Sequence, residues 1–487
     1  MPLSRLLAGI ATAPRDVLLT DVTLDSRAVR PGAAFLACRG ARRHGLEFVA
    51  DVAQRGAAAI LWEPDGSTHA PTLQSDIVLA EVPQLSRRAS ELAARFFEFP
   101  SQQLAVIGVT GTNGKTTCAW LLAQALDAVG GSAGYLGTLG SSFRGELVAG
   151  EMTTPDAVTV QRQLADFRAR GARQVAMEVS SHGLAQARVE AVSFDAAVFT
   201  NLTRDHLDFH GDMASYGAAK AGLFERSEVR LRAFNVDDAF GATLAARPQF
   251  TGRIACSRTA AAGAPYLLAH DIDYTSSGTS FALDSSFGKA RCATTLLGEF
   301  NVDNVLAVLA VLLGSGVDLR TASAALARLR APSGRLETFT RPGSATAVVD
   351  YAHTPDALDK ALAVLRRHCR GELTVVFGCG GDRDRGKRPQ MGAIAARGAD
   401  RIVLTDDNPR TEDGARIIAD IEAGLAGQCA TVIRDRRAAI EHALADAEAD
   451  DLVLIAGKGH EDYQIVGTTK HFFSDQQVLR EVLGIAA

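Results

Sequence analysis

The segment from Val106 to Thr117 constrains the fold of this chain more than any other stretch. It joins a short apolar run, which predicts a buried strand, to a glycine-rich turn that ends in Lys-Thr-Thr. An apolar, helix-like segment from Trp120 to Val129 follows. In such a unit, backbone N–H groups surround a polyphosphate, Lys115 supplies a cation and the Thr116 hydroxyl can bind Mg²⁺. The segment therefore predicts a nucleotide-phosphate site.

The loop departs from the common phosphate-loop pattern at its first position. The pattern has glycine where this chain has Val109, and Gly108 lies one residue early. A chance Gly-Lys-Thr in a surface turn is the alternative interpretation. The strand and the helix on the expected sides of the loop favour the phosphate site.

Length and composition limit the class of protein. At 487 residues the chain is too long for a single hydrophobic core, and the usual ~100 to 200 residues per domain predict about three domains. The net charge of −5 argues against a general binder of nucleic acid or membrane surfaces. No run reaches the ~18 apolar residues of a membrane span, so we expect a cytoplasmic protein. The seven cysteines include no C-x-x-C pair, which predicts reduced thiols rather than disulfides or zinc ligands.

Apolar runs and turn residues divide the chain into three α/β regions. Residues 1–100 alternate short apolar runs with helix-like stretches. Residues 101–332 contain buried strands of the parallel type, separated by helical patterns, which is typical of a doubly wound sheet. Within them, residues 262–297 indicate an antiparallel appendage, and Val302 to Leu313 indicates a long apolar helix. Residues 333–487 repeat the alternation of strands and helices without a second Gly-Lys-Thr loop.

Two polar residues stand where predicted central strands end. Glu178 ends one strand, and His206 lies in the loop after the next. Ligands bind beyond the carboxyl ends of parallel strands, so we expect both residues near the phosphate loop as ligands of a Mg²⁺. For each residue alone, the alternative to a metal ligand is a structural role: a histidine whose hydrogen bonds are satisfied within the fold, or a glutamate on the surface. His206 and His210 also have the spacing of a zinc pair, but Leu207 replaces the general-base glutamate, which disfavours a zinc hydrolase.

The segment from Tyr216 to Lys220 places a lysine on a predicted helix. A solvated lysine is the ordinary interpretation. Close to Mg²⁺ a lysine cation would be repelled, so a catalytic role requires its charge to be neutralised or its amine to be modified. Spacing alone leaves both interpretations open.

Polar, glycine-containing loops follow three predicted strands of the last region. These loops are Gly378 to Asp384, Asp406 to Arg410 and Gly457 to Glu461. At one sheet edge they would form a pocket that offers Arg383 and Arg410 to a carboxylate and Glu461 to an ammonium group. Each loop alone is also explained by turn chemistry. Together they predict a zwitterionic substrate.

Several motifs occur together between Leu24 and Glu461. They are Thr110-Gly111-Thr112-Asn113-Gly114-Lys115-Thr116-Thr117, Thr153-Thr154-Pro155, Glu178-Val179-Ser180-Ser181-His182-Gly183, Asp205-His206-Leu207-Asp208, Tyr216 to Lys220, Phe300-Asn301, Gly334-Arg335, Asp350-Tyr351-Ala352-His353-Thr354-Pro355-Asp356 and Asp407-Asn408-Pro409-Arg410. In this combination the chain resembles the Mur ligases over essentially its whole length. The resemblance also accounts for Val109, because the phosphate loop of that family has this form.

The resemblance implies an ATP-dependent amide ligase of peptidoglycan synthesis. It implies three domains: an N-terminal α/β domain (1–100) for the UDP-sugar, a central P-loop ATPase domain (101–332) and a C-terminal Rossmann-like domain (333–487) for the amino acid. In this family ATP phosphorylates a D-glutamyl carboxylate under Mg²⁺ stabilisation, and the amine of the amino acid attacks the acyl phosphate.

The resemblance also implies roles for particular residues. ATP would be bound by Gly111, Thr112, Asn113, Gly114, Lys115, Thr116 and Thr117, with Asn301, Arg335 and Asp350 closing over the nucleotide. The metals would be held by Thr116, Glu178, His206 and Lys220, and Lys115, Glu178, His206 and Lys220 would be the catalytic residues. Lys220 matches the carbamylated lysine of the family, N6-carboxylysine, whose added CO₂ turns a cation into an anionic ligand.

The implied substrates are UDP-N-acetylmuramoyl-L-alanyl-D-glutamate and meso-diaminopimelate. The first would be bound by Leu24, Ser26, Thr153, Thr154, Ser180, Gln186 and Arg188. The second would be bound by Arg383, Asp407, Asn408, Pro409, Arg410, Gly457 and Glu461. The Arg410 motif resembles the form in diaminopimelate-adding members, since L-lysine has no distal carboxylate to pair. Ala41-Arg42-Arg43 replace a polar pair that is common in the family, so we assign no uridine contact to them.

A P-loop kinase and a nucleotide-binding regulatory module are two alternative functions. A P-loop kinase would not need the zwitterion pocket, and the intact Lys115, Lys220 and His206 argue against a nucleotide-binding regulatory module. A ligase that adds L-lysine, or one similar to folylpolyglutamate synthase, is the alternative within the ligase class. We expect a monomer that binds neither nucleic acid nor membrane.

Overall fold

The computed structural model describes residues 1–40, 43–64, 76–261, 263 and 265–485. No helix among these residues is both long and apolar enough to cross a membrane. The chain divides into two compact units. The first comprises Met1–Cys256, Ala262–Tyr266 and Ala310–Gly316, and the second comprises Ser257–Ala261, Leu267–Leu309 and Val317–Ala487.

The first unit begins with a four-stranded parallel sheet in the order β1-β2-β3-β4. Its strands are β1 (Asp21–Thr23), β2 (Ala33–Ala37), β3 (Ala59–Trp62) and β4 (Val78–Glu81). The helices are α1 (Leu3–Leu7), α2 (Val49–Gln54) and α3 (Leu85–Phe96). A buried apolar cluster joins α1, α3 and one face of this sheet, and it includes Ala157 and Val158 from the following region.

A second sheet of the first unit has the order β12-β11-β10-β5-β9-β6-β7-β8. Its strands are β5 (Ala105–Thr110), β6 (Ala133–Gly137), β7 (Gly140–Phe143), β8 (Glu146–Val148), β9 (Gln174–Glu178), β10 (Ala196–Phe199), β11 (Leu231–Asn235) and β12 (Arg253–Ser257). The helices are α4 (Lys115–Ala128), α5 (Ala157–Ala169), α6 (Ser181–Ala185), α7 (Leu207–His210), α8 (Met213–Ala221) and α9 (Ala239–Ala245). Pairing is parallel from β12 to β6 and antiparallel from β6 to β8.

Strand β5 lies at the centre of this sheet, between β9 and β10. Both of its faces are covered, which explains why its sequence is a continuous apolar run rather than an alternating one. The carboxyl ends of β5, β9 and β10 therefore share one edge, as the sequence predicted.

The second unit contains an antiparallel meander and a six-stranded sheet. The meander is formed by β13 (Tyr266–Thr275), β14 (Gly278–Ser285) and β15 (Gly288–Thr294), and is followed by α10 (Glu299–Gly314) and α11 (Leu319–Leu326). Residues of α10 up to Leu309 belong to this unit. The predicted antiparallel appendage and long apolar helix are thus confirmed.

The six-stranded sheet has the order β16-β17-β21-β18-β19-β20, and only β16 is antiparallel to its neighbour. Its strands are β16 (Glu337–Phe339), β17 (Thr346–Asp350), β18 (Leu373–Phe377), β19 (Arg401–Leu404), β20 (Thr431–Val432) and β21 (Leu452–Ala456). The helices are α12 (Pro355–His368), α13 (Lys387–Gly398), α14 (Gly414–Glu422), α15 (Arg436–Ala445) and α16 (Asp475–Leu483), and a hairpin comprises β22 (Tyr463–Val466) and β23 (Thr469–Phe472). The predicted α/β class is confirmed, whereas the domain boundaries at residues 100 and 332 stay predictions.

Candidate active site

The phosphate loop leaves the end of β5 and turns directly into α4. Gly111 has φ +150° and Gly114 has φ +83°, conformations that side chains disfavour. A Cβ on Gly111 would lie 1.9 Å from the Thr200 hydroxyl oxygen, so glycine is required there. The loop is also tied to the segment after β10, because the N–H groups of Thr112 and Asn113 donate to the carbonyl (2.8 Å) and side-chain (2.9 Å) oxygens of Asn201.

Helix α4 begins at Lys115, five residues before the helix-like segment recognised in the sequence, so Lys115, Thr116 and Thr117 form its first turn. The Lys115 ammonium donates to the carbonyl oxygens of Gly111 (3.0 Å) and Thr112 (2.8 Å). Burial lowers the pKa of this lysine, while the nearby Glu178 and Asp205 oppose that shift. The cation is therefore held inside the loop that would surround a phosphate chain.

Glu178, at the end of β9, is fully buried beside the first turn of α4. One carboxylate oxygen accepts hydrogen bonds from the Thr116 hydroxyl at 2.9 Å and the Thr138 hydroxyl at 3.1 Å. The other accepts from the Tyr135 hydroxyl at 2.7 Å and the Thr138 N–H at 2.8 Å. The structure thus brings Thr116 and Glu178 together, and it adds Tyr135 and Thr138, which the sequence analysis missed.

Lys220 is 1 % exposed on α8, close to the same loop. Its ammonium donates to the Gly111 carbonyl oxygen at 2.7 Å and lies 4.4 Å from the centre of the Tyr216 ring. Burial, with the charge of Lys115 added to it, lowers the pKa of Lys220 to about 7, against the opposing effect of Asp205. The solvated-lysine interpretation is therefore wrong, because this side chain is buried and its amine is easily deprotonated.

His206 precedes α7 with φ +52°, and its half-exposed ring lies beside two aromatic side chains. The ring centres of His206 and His182 are 4.8 Å apart, and those of His206 and Tyr216 are 6.1 Å apart. Burial lowers the pKa values of His182 and His210, with His206 contributing to both. No role was predicted for His182 from the sequence, although its place after β9 was the available signal. Across residues 1–40, 43–64, 76–261, 263 and 265–485, no three His, Cys, Asp or Glu side chains form a metal-binding group.

Five of the seven residues predicted to bind the nucleotide-sugar peptide form one hydrogen-bonded network. The Arg188 guanidinium donates to the Thr154 carbonyl oxygen at 2.7 Å and to the Gln186 side-chain oxygen at 3.0 and 2.6 Å. The Thr154 hydroxyl accepts a hydrogen bond from the Ser180 N–H at 2.9 Å and donates one to the Glu178 carbonyl oxygen at 2.8 Å. The Thr153 and Thr138 hydroxyl oxygens lie 3.0 Å apart, and Thr153 donates because the Thr138 proton is directed to Glu178. This network is continuous with the hydrogen bonds around Glu178.

Leu24 and Ser26 line a separate cavity of about 640 Å³ in the N-terminal region. Asp25 pairs with Arg27 at 2.9 Å on its wall. Arg43 also lines this cavity, although the sequence analysis assigned it no contact, and Ala41 and Arg42 lie outside the described residues.

A cavity of about 560 Å³ in the second unit brings together most of the residues predicted to bind the amino acid. Those that line it are Arg383, Asp407, Asn408, Arg410, Gly457 and Glu461. Pro409 does not line the cavity; its carbonyl oxygen is turned toward Gly381, where a Cβ would lie 1.9 Å away. Tyr351, His353, Lys387 and Tyr463 are further lining residues that the sequence analysis did not assign.

The charged side chains in this cavity differ in their hydrogen-bond partners. The Arg410 guanidinium donates to the Gly381 carbonyl oxygen at 2.9 Å. The Glu461 carboxylate accepts from the Asn408 amide at 3.1 Å. The Asp407 side chain is 8 % exposed, and within the described part of the chain its carboxylate has neither a hydrogen bond nor an ion pair. A nearly buried carboxylate without a hydrogen bond or a close ion pair favours a cationic group beside it in the cavity.

The last three residues predicted to contact the nucleotide also lie in the second unit. Asn301 is 2 % exposed, donates to the Leu297 carbonyl oxygen at 2.7 Å and accepts from Asn304 at 2.9 Å. Asp350 accepts the Leu336 N–H at 2.9 Å, and burial raises its pKa against the opposing charge of Arg335. Their roles toward ATP stay predictions.

Comparison with known proteins connects these features to one family. Family models match residues 19–97 (Mur ligase family, catalytic domain), 109–312 (Mur ligase middle domain) and 334–459 (Mur ligase, glutamate ligase domain). The chain is 48% identical to the UDP-N-acetylmuramoyl-L-alanyl-D-glutamate–2,6-diaminopimelate ligase of Ectopseudomonas mendocina, over 99% of this chain and 98% of that protein. It is 49% identical to the Pseudomonas aeruginosa ligase of the same name, over 95% and 94% of the two chains.

A solved structure of a ligase with that name covers 96% of this chain and 95% of its own, with a TM-score of 0.75 and 35% sequence identity. The similarity therefore extends over all three matched regions and over both the sequence and the fold. On these grounds, the chain belongs to the Mur ligase family.

Proposed function

We propose that this protein is an ATP-dependent ligase that joins meso-diaminopimelate to the D-glutamyl carboxylate of UDP-N-acetylmuramoyl-L-alanyl-D-glutamate. The observation that carries the proposal is the cavity of the second unit, which presents Arg383 and Arg410 together with Asp407 and Glu461. Guanidinium groups suit carboxylates, and carboxylates suit ammonium groups, so this lining matches an amino acid with two charged ends. The relatives at 48% and 49% identity carry the corresponding name.

We propose that the phosphate loop binds ATP. Its N–H groups and the start of α4 favour the phosphate oxygens, and Lys115 is already held within the loop by two carbonyl oxygens. With ATP bound, the same ammonium would turn from these carbonyls to the phosphates.

The oxygen atoms of Thr116 and Glu178 fit Mg²⁺, which prefers one or two carboxylates beside substrate phosphates. When bound, Mg²⁺ would neutralise phosphate charge as the phosphoryl group is transferred. Glu178 is held for this task by Tyr135 and Thr138, and His206 is the further candidate ligand.

We propose that Lys220 works as N6-carboxylysine. Its pKa of about 7 leaves much of the amine neutral near neutral pH. The neutral amine can attack CO₂, forming an N–C bond and releasing one proton. The resulting carbamate is an anion, which removes the repulsion that a lysine cation would exert on a metal.

The reaction then follows from the weakness of a carboxylate as an acylating agent. The D-glutamyl carboxylate oxygen attacks the γ-phosphorus of ATP, and ADP leaves. The amine of diaminopimelate attacks the carbonyl carbon of the acyl phosphate, loses a proton, and phosphate leaves with the C–O bond broken. Arg410 would pair with the distal carboxylate of diaminopimelate, a group that L-lysine lacks.

We propose that the remaining predicted residues bind the nucleotide-sugar peptide. Leu24 and Ser26 would contact it in the cavity of about 640 Å³, where Arg43 adds a cation suited to a phosphate. Arg188, tied to Thr154 and Gln186, would bind nearer the phosphate loop. Each predicted domain then binds one substrate: the UDP-sugar at residues 1–100, ATP at residues 101–332 and the amino acid at residues 333–487.

The test is phosphate release from ATP by the purified protein with UDP-N-acetylmuramoyl-L-alanyl-D-glutamate, comparing meso-diaminopimelate with L-lysine and weighing the product. We expect a tripeptide-linked product with diaminopimelate only. Turnover with lysine alone would refute the assigned pocket, and phosphorylation without amide formation would favour a kinase.

A further inference from the structure

Lys458 lies behind the wall of the amino-acid cavity and is fully buried. Its ammonium is 3.2 Å from the side-chain oxygen of Asn408 and 3.6 Å from a carboxylate oxygen of Glu461. Burial lowers the pKa of Lys458, and the charges of Asp407 and Glu461 oppose that shift. A buried cation therefore stands directly against two residues that line the cavity.

Donor and acceptor chemistry determines how Asn408 is oriented. A lysine ammonium has three donors and no acceptor, and the Ile465 N–H, which also points at the Asn408 side-chain oxygen at 2.9 Å, can only donate. The amide oxygen must therefore face these two groups. The amide nitrogen then faces the other way and donates to Glu461 at 3.1 Å.

The charged groups around Lys458 partly offset one another. Asp407 and Glu461 contribute two carboxylates, and Lys458 contributes one internal cation. Arg436 is nearby, but its guanidinium is already paired with Asp475 at 2.8 Å. Lys458 therefore offsets part of the negative charge of Asp407 and Glu461.

We propose that Lys458 is a positioning residue that fixes the Asn408 amide, and with it the Glu461 carboxylate, so that the carboxylate accepts the ammonium end of the incoming amino acid. This inference rests on the proposed ligase function. Lys458 itself does not line the cavity, so it acts on selectivity through these two neighbours.

The first test is Lys458→Met, which keeps the apolar stem and removes the charge. We expect KM for meso-diaminopimelate to rise about tenfold or more, the size expected from losing a hydrogen bond to a charged group, with KM for ATP unchanged. Lys470→Met is the matched control, because Lys470 is exposed and contacts the ring of Tyr463 on the same wall, at 3.7 Å, and this variant should retain the wild-type KM.

A double-mutant cycle separates positioning from a general structural role. If Lys458 acts through Glu461, adding Lys458→Met to Glu461→Gln should change KM for diaminopimelate less than about twofold further. Independent effects that multiply would overturn the proposal. So would equal changes in both KM values, or no change in either.

Lys458→Arg covers the case in which the methionine variant does not fold, because it retains a buried cation. We expect a KM increase confined to the amino acid, and equal effects on ATP and amino acid would again refute the role. Failure of the wild-type protein to form the tripeptide product would instead refute the proposed function, so the two failures are distinguishable.

Discussion

The Thr116 hydroxyl donates a hydrogen bond to the Glu178 carboxylate at 2.9 Å, joining the first turn of α4 to the end of β9. These residues lie 62 positions apart in the sequence, yet they meet because β5 and β9 are parallel neighbours. The contact places a hydroxyl and a carboxylate together at the phosphate loop, where a divalent cation would need oxygen ligands.

Thr116→Val removes the hydroxyl while keeping the shape of the side chain. We expect the Mg²⁺ concentration for half-maximal product formation to rise about tenfold or more. Titration of Mg²⁺ at saturating ATP measures this. Thr243→Val, at an exposed threonine on α9 of the same unit, is the control and should leave the Mg²⁺ requirement unchanged.

Lys220→Ala should lose most activity, and bicarbonate or a short carboxylic acid should partly restore it, because the added anion replaces the carbamate. Arg230→Ala, at an exposed position, is a suitable control. Intact ATP binding without any rescue would count against the modified lysine.

The pH dependence of stability gives an independent measure of the unmodified Lys220. Its folded pKa of about 7 lies below the unfolded value of about 10.4, so between these values the unfolded state binds more protons. Lys220 therefore makes the free energy of unfolding rise with pH from about 7 to about 10.4, and its full cost is present below about 7. In CO₂-free buffer, Lys220→Met should reduce the rise of the unfolding free energy with pH, measured from urea unfolding curves; identical pH profiles would contradict the lowered pKa of Lys220.

Arg410→Ala should weaken the use of diaminopimelate far more than the use of ATP, since its guanidinium faces the amino-acid cavity. Separate KM measurements for the two substrates test this. Arg416→Ala, at an exposed arginine on the neighbouring helix α14, is the control. An equal loss for both substrates would remove the case for an amino-acid pocket at this position.

Arg436 and Asp475 form a buried, bidentate ion pair with both N–O distances at 2.8 Å. Arg436→Met should lower the free energy of unfolding by about 3 to 5 kcal/mol, because it leaves the Asp475 charge buried without its partner. Urea denaturation measures the change. Arg437→Met, at the adjacent exposed arginine, should cost less than about 1 kcal/mol, and similar effects of both variants would contradict this account.

Local patterns predicted much of this architecture. The apolar run before Gly111 predicted β5, and the glycines and Lys115 predicted the turn into α4, because strand period, turn chemistry and helix start are properties of neighbouring residues. The same reasoning placed Glu178 and the Asp407 to Arg410 motif at strand ends. It missed the β22–β23 hairpin, whose short strands are mostly exposed and lack the apolar pattern of a core strand.

The sequence by itself determined the α/β class, the phosphate loop and the residues that resemble a family, because these depend on residue type and short spacing. Only the tertiary structure decided that Thr138 and Tyr135 hold Glu178, that Lys220 is buried against Gly111, and that Pro409 is turned away from the cavity. It alone also revealed Lys458 beside Asn408, 50 positions away in the sequence. Burial and hydrogen-bond partners arise when distant segments pack together, so no local pattern specifies them.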